Sequence, residues 1–308
     1  MTRSLRIEFP GALYHVFSRG NAKQSIFQSD EDRKRFLAIL GAVVDRHNWI
    51  IHAYCLMGNH FHLLVETPDP NLSEGMHLLN GVYAQTYNQE HDRVGHLFQG
   101  RYGATLIDRE EYFLQAACYI VLNPVKACKV EHPSLYRWSS YRGTAGGEKP
   151  PTFLTTNSIL LCFAQDLPTA QRLYREFVDG GIDDEVSKKI ESGRVCGGEE
   201  FLARMQELIK GKREIKDIPR LQRYAGRPHI AQILDGWRDL EDRNGRIFKA
   251  VHEFGYTQKE AADHLGLAGS TVSEIIKGSC LRSSVCDRDG DGEPKIEDTT
   301  PLALNDTW

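Results

Sequence analysis

Apolar residues recur at two different periods through the first 145 residues, and the switches between the two outline the elements. Ala12–Arg19 is a short, mostly apolar run closed by Gly20-Asn21, which predicts a strand ending in a turn. From Asp30, read as an N-cap, Phe36, Leu37, Leu40, Val43 and Val44 follow at helical spacing and predict a helix to about His47. Trp49–Glu66 is apolar and rich in β-branched residues, which predicts two strands with Met57-Gly58-Asn59 as the turn between them. Leu72, Met76, Leu79, Val82 and Tyr83 restore the helical period over 71–90. His96–Ile107 predicts a further strand, and Asp108 caps a helix that should run to Asn123 and stop at Pro124. Strands and helices of these lengths predict an α+β fold with a central, mostly antiparallel sheet sandwiched by helices.

The pattern changes after residue 145. Gly143–Pro151 is a linker by composition, and residues 146–218 predict a mainly helical connector, for example Thr169–Val178 and Glu199–Ile209, with no residues arranged for chemistry. A second compact unit is expected over 219–278. Within it, Tyr256–Lys277 reads as helix, glycine turn, helix, with Thr257 and Glu260 as a capping box. Ala261, Leu265, Leu267, Val272 and Ile276 supply its inward face. The segment resembles a helix-turn-helix of the DnaA or Trp-repressor kind, which implies a duplex DNA partner for its second helix. Ser270, Thr271, Ser273 and Lys277 are then the candidate readers, with Arg220, Arg223 and Arg227 as candidate backbone contacts. The last stretch, 279–308, is polar and acidic and is expected to be disordered.

Composition narrows the setting. The first twenty residues hold Arg3, Arg6, Glu8 and Arg19 without an apolar stretch, and no run of about eighteen apolar residues occurs, so neither a secretion signal nor a membrane span is expected. Seven cysteines, an odd number without a Cys-x-x-Cys pair, suit reduced thiols in a cytoplasm. The net charge of −4 comes from the tail, where 3 Lys+Arg face 7 Asp+Glu. A near-neutral remainder argues weakly against strong nonspecific DNA affinity but leaves local basic patches open.

The chemistry concentrates in two places. His60 and His62 stand two apart in a strand candidate, so both imidazoles project from one face and can grip a divalent metal if a third ligand comes from elsewhere. In the helix before Pro124, Tyr119 and Asn123 are four apart and stack on one face. If that face covers the histidines, Asn123 can complete the metal site and Tyr119 can attack a bound phosphate. Spacing alone does not select Tyr119, because Tyr83, Tyr87, Tyr102 and Tyr112 are also available.

The ordered runs Tyr14-His15-Val16-Phe17-Ser18-Arg19-Gly20-Asn21, Met57-Gly58-Asn59-His60-Phe61-His62-Leu63-Leu64-Val65, Leu97-Phe98-Gln99-Gly100-Arg101-Tyr102, Tyr119-Ile120-Val121-Leu122-Asn123-Pro124-Val125-Lys126-Ala127 and Trp138-Ser139-Ser140-Tyr141 add what spacing lacks. Together, over about residues 5–145, they resemble the single-tyrosine HUH transposases of the IS200-like family, specifically the REP-associated tyrosine transposases. The resemblance implies His60 and His62 as the metal pair and Tyr119 as the nucleophile. Asn123 stands where relatives place a polar ligand, often glutamine, which is one carbon longer. It further implies Mg²⁺ or Mn²⁺ as cofactor, and cleavage and rejoining of hairpin-bearing single-stranded DNA through a 5′-phosphotyrosine. Arg19, Arg101, Tyr102 and Lys126 fall in the matched runs and are candidate DNA contacts. Monomer and homodimer are both compatible with it. The competing expectation is a noncatalytic DNA-binding regulator that keeps the transposase fold.

Overall fold

The computed structural model describes residues 7–192, 195–209 and 227–276, which divide into two compact units, one ending at residue 226 and one starting at Arg227. Lys277, the acidic tail, Arg220 and Arg223 lie outside the described residues.

The first unit is built on a five-stranded sheet. Its strands are β1 (Ala12–Arg19), β2 (Ile50–Leu56), β3 (His60–Thr67), β4 (Gly103–Ile107) and β5 (Val195–Cys196), in the order β2-β3-β1-β4-β5. All pairings are antiparallel except the last, where Leu106 faces Val195 and Ile107 faces Cys196 in parallel. Helices cover both faces, so the α+β sandwich expected from the sequence is the fold. Because side chains alternate along a strand, β1 and β3 each feed two cores. Tyr14, Val16, Phe61, Leu63 and Val65 face α1 (Asp30–His47) and α2 (Leu72–Glu90). Leu13 and Leu64 face α3 (Arg109–Lys126) and the shorter helices beyond it.

Several boundaries differ from expectation. The cap of α1 is Ser29 rather than Asp30: its hydroxyl accepts from the Asp32 amide while the Asp32 carboxylate accepts from the Ser29 amide, and together these satisfy two otherwise orphaned donors. Helix α3 does begin after Asp108, but it passes through Pro124 to Lys126, because a proline in the last turn forfeits little of the hydrogen-bond ladder. The strand expected over 96–107 starts only at Gly103. Gly100 adopts φ +71°, a left-handed conformation that breaks the ladder, and 96–102 joins β1 through a single bridge between Gly20 and Phe98.

Beyond the Gly/Pro-rich stretch the chain continues to pack on the first unit. Leu154 enters the α1 side; Ile159, Leu160, Ala170, Tyr174, Val178 and Ile190 enter the α3 side. After the short helix α4 (Tyr141–Thr144), Ile159 and Leu160 lie on α5 (Asn157–Leu160), Ala170, Tyr174 and Val178 on α6 (Leu167–Asp179), and Ile190 on α7 (Asp184–Glu191); β5 and α8 (Glu199–Ile209) follow.

The second unit contains α9 (Ile230–Leu234), α10 (Leu240–His252), α11 (Gln258–Leu265) and helical residues 269–276. Ile233, Leu234, Ile247, Ala250, Tyr256, Ala261, Ala262, Val272 and Ile276 form its core. Thr257 and Glu260 make the expected capping box, and Gly266 ends α11 at φ +65°. Arg227 stacks on the Tyr256 ring and donates to the carbonyls of Phe254 and Gly255 and to Glu260. That guanidinium clamps its own unit together, contrary to its expected place on a DNA backbone.

No helix among the described residues is long and apolar enough to cross a membrane.

Candidate active site

Period-two alternation sets His60 and His62 on the α3 face of β3, and the same alternation sets His15 on that face of β1, paired with Leu64 and therefore diagonal to His62. Helix α3 crosses this face and brings Tyr119 edge-on to His15 at 5.3 Å and to His62 at 5.8 Å between ring centroids. A cavity of about 420 Å³ opens here, lined by His15, His60, His62, Tyr119, Asn123 and Glu191, with Arg19, Gln99 and Arg101 at the side of the loop carrying Gly100. The strand pair and the helix pair read from the sequence therefore meet at one place.

The protonation pattern follows from the hydrogen bonds. The Ile190 carbonyl can only accept, so the His15 Nδ1 that lies 3.1 Å from it carries the hydrogen. Burial lowers His15 to about 4, so its ring is neutral at pH 7 and its Nε2 is an acceptor. His62 Nδ1, 2.8 Å away, must then be the donor. His62 Nε2 is left with a lone pair, and it is a buried nitrogen without a protein partner. On His60, Nδ1 donates to Asn59 Oδ1 at 2.6 Å, in an amide whose Nδ2 donates to the Lys23 carbonyl, so His60 Nε2 also keeps its lone pair. Burial first, then Arg19 and Lys129, lowers His60 to about 4; burial, His15, His60 and Arg19 push His62 well below the usual range.

Two neutral imidazoles with their Nε2 lone pairs uncommitted, one of them buried, form a donor set that fits a divalent metal. Among the described residues no three His, Cys, Asp or Glu side chains converge as ligands. The Asn123 side chain lines the same cavity, and its Nδ2 donates to the Tyr119 carbonyl one turn back, at 3.0 Å.

Tyr119 is buried, and its phenol donates to Glu191 Oε1 at 2.8 Å. Burial, then the Glu191 carboxylate, raises the phenol well above its ordinary range, while Asn123 and Arg19 act to lower it. The remaining candidates separate. Lys126 donates to Ser187 Oγ at 2.6 Å and lies 5.2 Å from the Tyr119 ring centroid. Tyr102 is buried in the α1-side core, its hydroxyl 3.3 Å from Ser73 Oγ, and its ring borders a neighbouring groove of about 790 Å³ rather than the histidine cavity. In the second unit Ser270 is exposed, while Thr271 and Ser273 are half-buried.

Beyond the predicted residues, the cavity also takes in His15, Gln99 and Glu191. His15 lies inside a quoted run, and its signal was a polar residue at the chemical phase of an apolar strand. Glu191 belongs to a segment that had been expected to hold no chemistry; nothing local marks it.

No curated protein matches the chain in sequence. Two solved structures resemble it in outline. One, a REP-associated tyrosine transposase bound to a REP hairpin, is 18% identical, covers 50% of this chain and 92% of its own, and has a TM-score of 0.41. The other, provisionally described as a transposase from Deinococcus radiodurans R1, is 18% identical, covers 37% of this chain and 93% of its own, and has a TM-score of 0.28. Residues 9–122, which carry His15, His60, His62 and Tyr119, match the model of the family described as Transposase IS200 like. Over these residues the chain is similar to IS200-like transposases, the family whose motifs its sequence runs resemble.

Proposed function

We propose that the protein cleaves and rejoins hairpin-bearing single-stranded DNA, with Tyr119 as the nucleophile and His60, His62 and Asn123 holding Mg²⁺ or Mn²⁺. The observation that carries this reading is the single cavity shared by the Tyr119 phenol and the two uncommitted Nε2 lone pairs. Imidazole donors suit manganese better than magnesium. When bound, the metal supplies Lewis-acid stabilisation of charge on the phosphoryl oxygens and favours the phenolate.

The chain's own residues do the rest. Arg19 and Arg101 line the cavity and draw a phosphodiester into it. The rings of His15 and His62 hold the Tyr119 ring edge-on and limit its rotation. Attack of the phenol oxygen on phosphorus forms a 5′-phosphotyrosine and releases a 3′-hydroxyl, which keeps the phosphodiester energy for rejoining. The second unit, with Ser270 exposed on residues 269–276, would engage duplex DNA and help choose the site. Its setting would be the cytoplasm, in keeping with unpaired thiols such as Cys55 and Cys118.

The test is a cleavage assay on labelled single strands containing palindromes, with Mn²⁺ or Mg²⁺, resolved on a denaturing gel. A metal-dependent covalent protein–DNA band should form with the wild type and vanish in Tyr119→Phe. A band that survives in Tyr119→Phe would assign the nucleophile elsewhere. Binding of hairpins without cleavage, under both metals, would support the noncatalytic regulator instead.

A further inference from the structure

The short helix α7 lies outside the family's matched segment, yet four of its last five residues reach into the active-site side of the molecule. Ser187 Oγ accepts from Lys126, and Lys189 Nζ donates to the Tyr112 hydroxyl at 3.2 Å. The Ile190 carbonyl accepts from both His15 and Thr105. Glu191 accepts the phenol proton of Tyr119. These bonds fix one carboxylate in the cavity wall, 2.8 Å from the oxygen that must become a nucleophile.

We infer that Glu191 is a catalytic residue of the strand-transfer reaction, the general base that takes the Tyr119 proton. The inference rests on the function proposed above. As the phenol oxygen bonds to phosphorus, its proton passes along the existing hydrogen bond to Glu191 Oε1. The bond from phosphorus to the 3′-oxygen breaks, and that oxygen leaves with the bonding pair and takes a proton from water. In rejoining, a 3′-hydroxyl attacks the phosphotyrosine and gives its proton to water, the phenol oxygen departs with the bonding pair, and the carboxyl of Glu191 returns the proton to it.

The other groups around Tyr119 cannot take this role. His15 has its Nδ1–H on Ile190 and its Nε2 on His62, and His62 Nε2 belongs to the donor set for the metal. Lys126 and Arg19 are cations without a lone pair to offer. A base must stand within hydrogen-bond reach of the proton it removes, and Glu191 already does.

The experiment measures single-turnover formation of the covalent adduct, with saturating hairpin DNA and Mn²⁺, for wild type, Glu191→Gln, Glu191→Asp and Glu191→Ala. Glutamine keeps an oxygen that accepts the phenol hydrogen bond but cannot hold the proton, so it separates proton transfer from positioning. The Gln variant should form adduct about a hundredfold more slowly, with hairpin affinity and Mn²⁺ affinity unchanged. Aspartate should recover part of the rate. Added formate or acetate should speed the Ala variant in proportion to its concentration, which a purely structural role for Glu191 would not produce. The Gln substitution is nearly isosteric, so it serves even if the Ala variant folds poorly. A Gln variant within twofold of wild type, or one whose loss is matched by lost DNA binding, overturns the inference while leaving Tyr119 in place. Absence of adduct in the wild type itself overturns the proposed function, and this inference with it.

Discussion

The two faces of the sheet are made from the same strands and both bury an apolar core, but only one of them sets buried histidines into it. On the α1–α2 face, β1 and β3 contribute Tyr14, Val16, Phe61, Leu63 and Val65 to a core of aromatic and aliphatic side chains with Phe36, Leu40, Met76 and Tyr83. On the α3 face the intervening residues include His15 and His62, with His52 on β2 and Thr105 on β4, all buried. The first face lowers the free energy of folding through burial of apolar area. The second carries buried polar groups that are stable only because each is bonded to another or kept for a ligand. Alternation by single residues thus lets stability and reactivity be changed separately, and three experiments bear on that separation.

The largest effect should come from the apolar face. Phe36→Ala removes a fully buried ring and should cost about 3–5 kcal/mol in urea unfolding. The rate of adduct formation per folded molecule should stay unchanged. A rate that falls along with stability would show that the faces are coupled.

Acidification should act on the other face. Burial lowers His15 from 6.5 to about 4 in the folded protein. Between those values the unfolded chain binds a proton that the folded one does not, so stability is complete above about pH 6.5 and declines as pH falls toward 4. The metal-free protein should lose about 3 kcal/mol from His15 over that window. Unfolding free energies compared at pH 7.5 and 4 check this, and a markedly smaller loss in His15→Leu would assign it.

The smallest effect should be the most specific. In His15→Leu, the His62 Nδ1–H loses its acceptor and the ring is free to change tautomer. Mn²⁺ affinity, measured by calorimetry, should fall about 10–100-fold, equivalent to about 1.4–2.7 kcal/mol. Unchanged affinity would mean that His15 does not orient the His62 ring.

What could be read from the chain depended on distance along it. His60 and His62 are two residues apart and Tyr119 and Asn123 four, so backbone geometry alone predicts that each pair shares a face. The resemblance then brought the pairs together, and α3 crossing β3 is what joins them in space. His15 was legible only as a polar residue on an apolar strand, because its partner lies 47 residues away. Glu191 was not legible: it sits 72 residues from Tyr119, in a charged helix like many solvent-facing ones. The misplaced boundaries have a simpler origin. Ser29 and Asp30 are both good caps, and only the reach of Asp32 back to the Ser29 amide chooses between them.

The two-residue strand β5 is short enough to pass unnoticed, yet it closes one side of the sheet: β4 pairs with β1 on its inner side and with Val195–Cys196 on its outer side, and Asp108 N–H donates to the Cys196 carbonyl at 2.7 Å. A fragment cut at the Gly/Pro-rich stretch near residue 145 would lose that cover and present a bare row of backbone donors and acceptors, the kind of edge along which chains aggregate. A fragment that keeps β4 covered on its outer side therefore has to extend at least through Cys196.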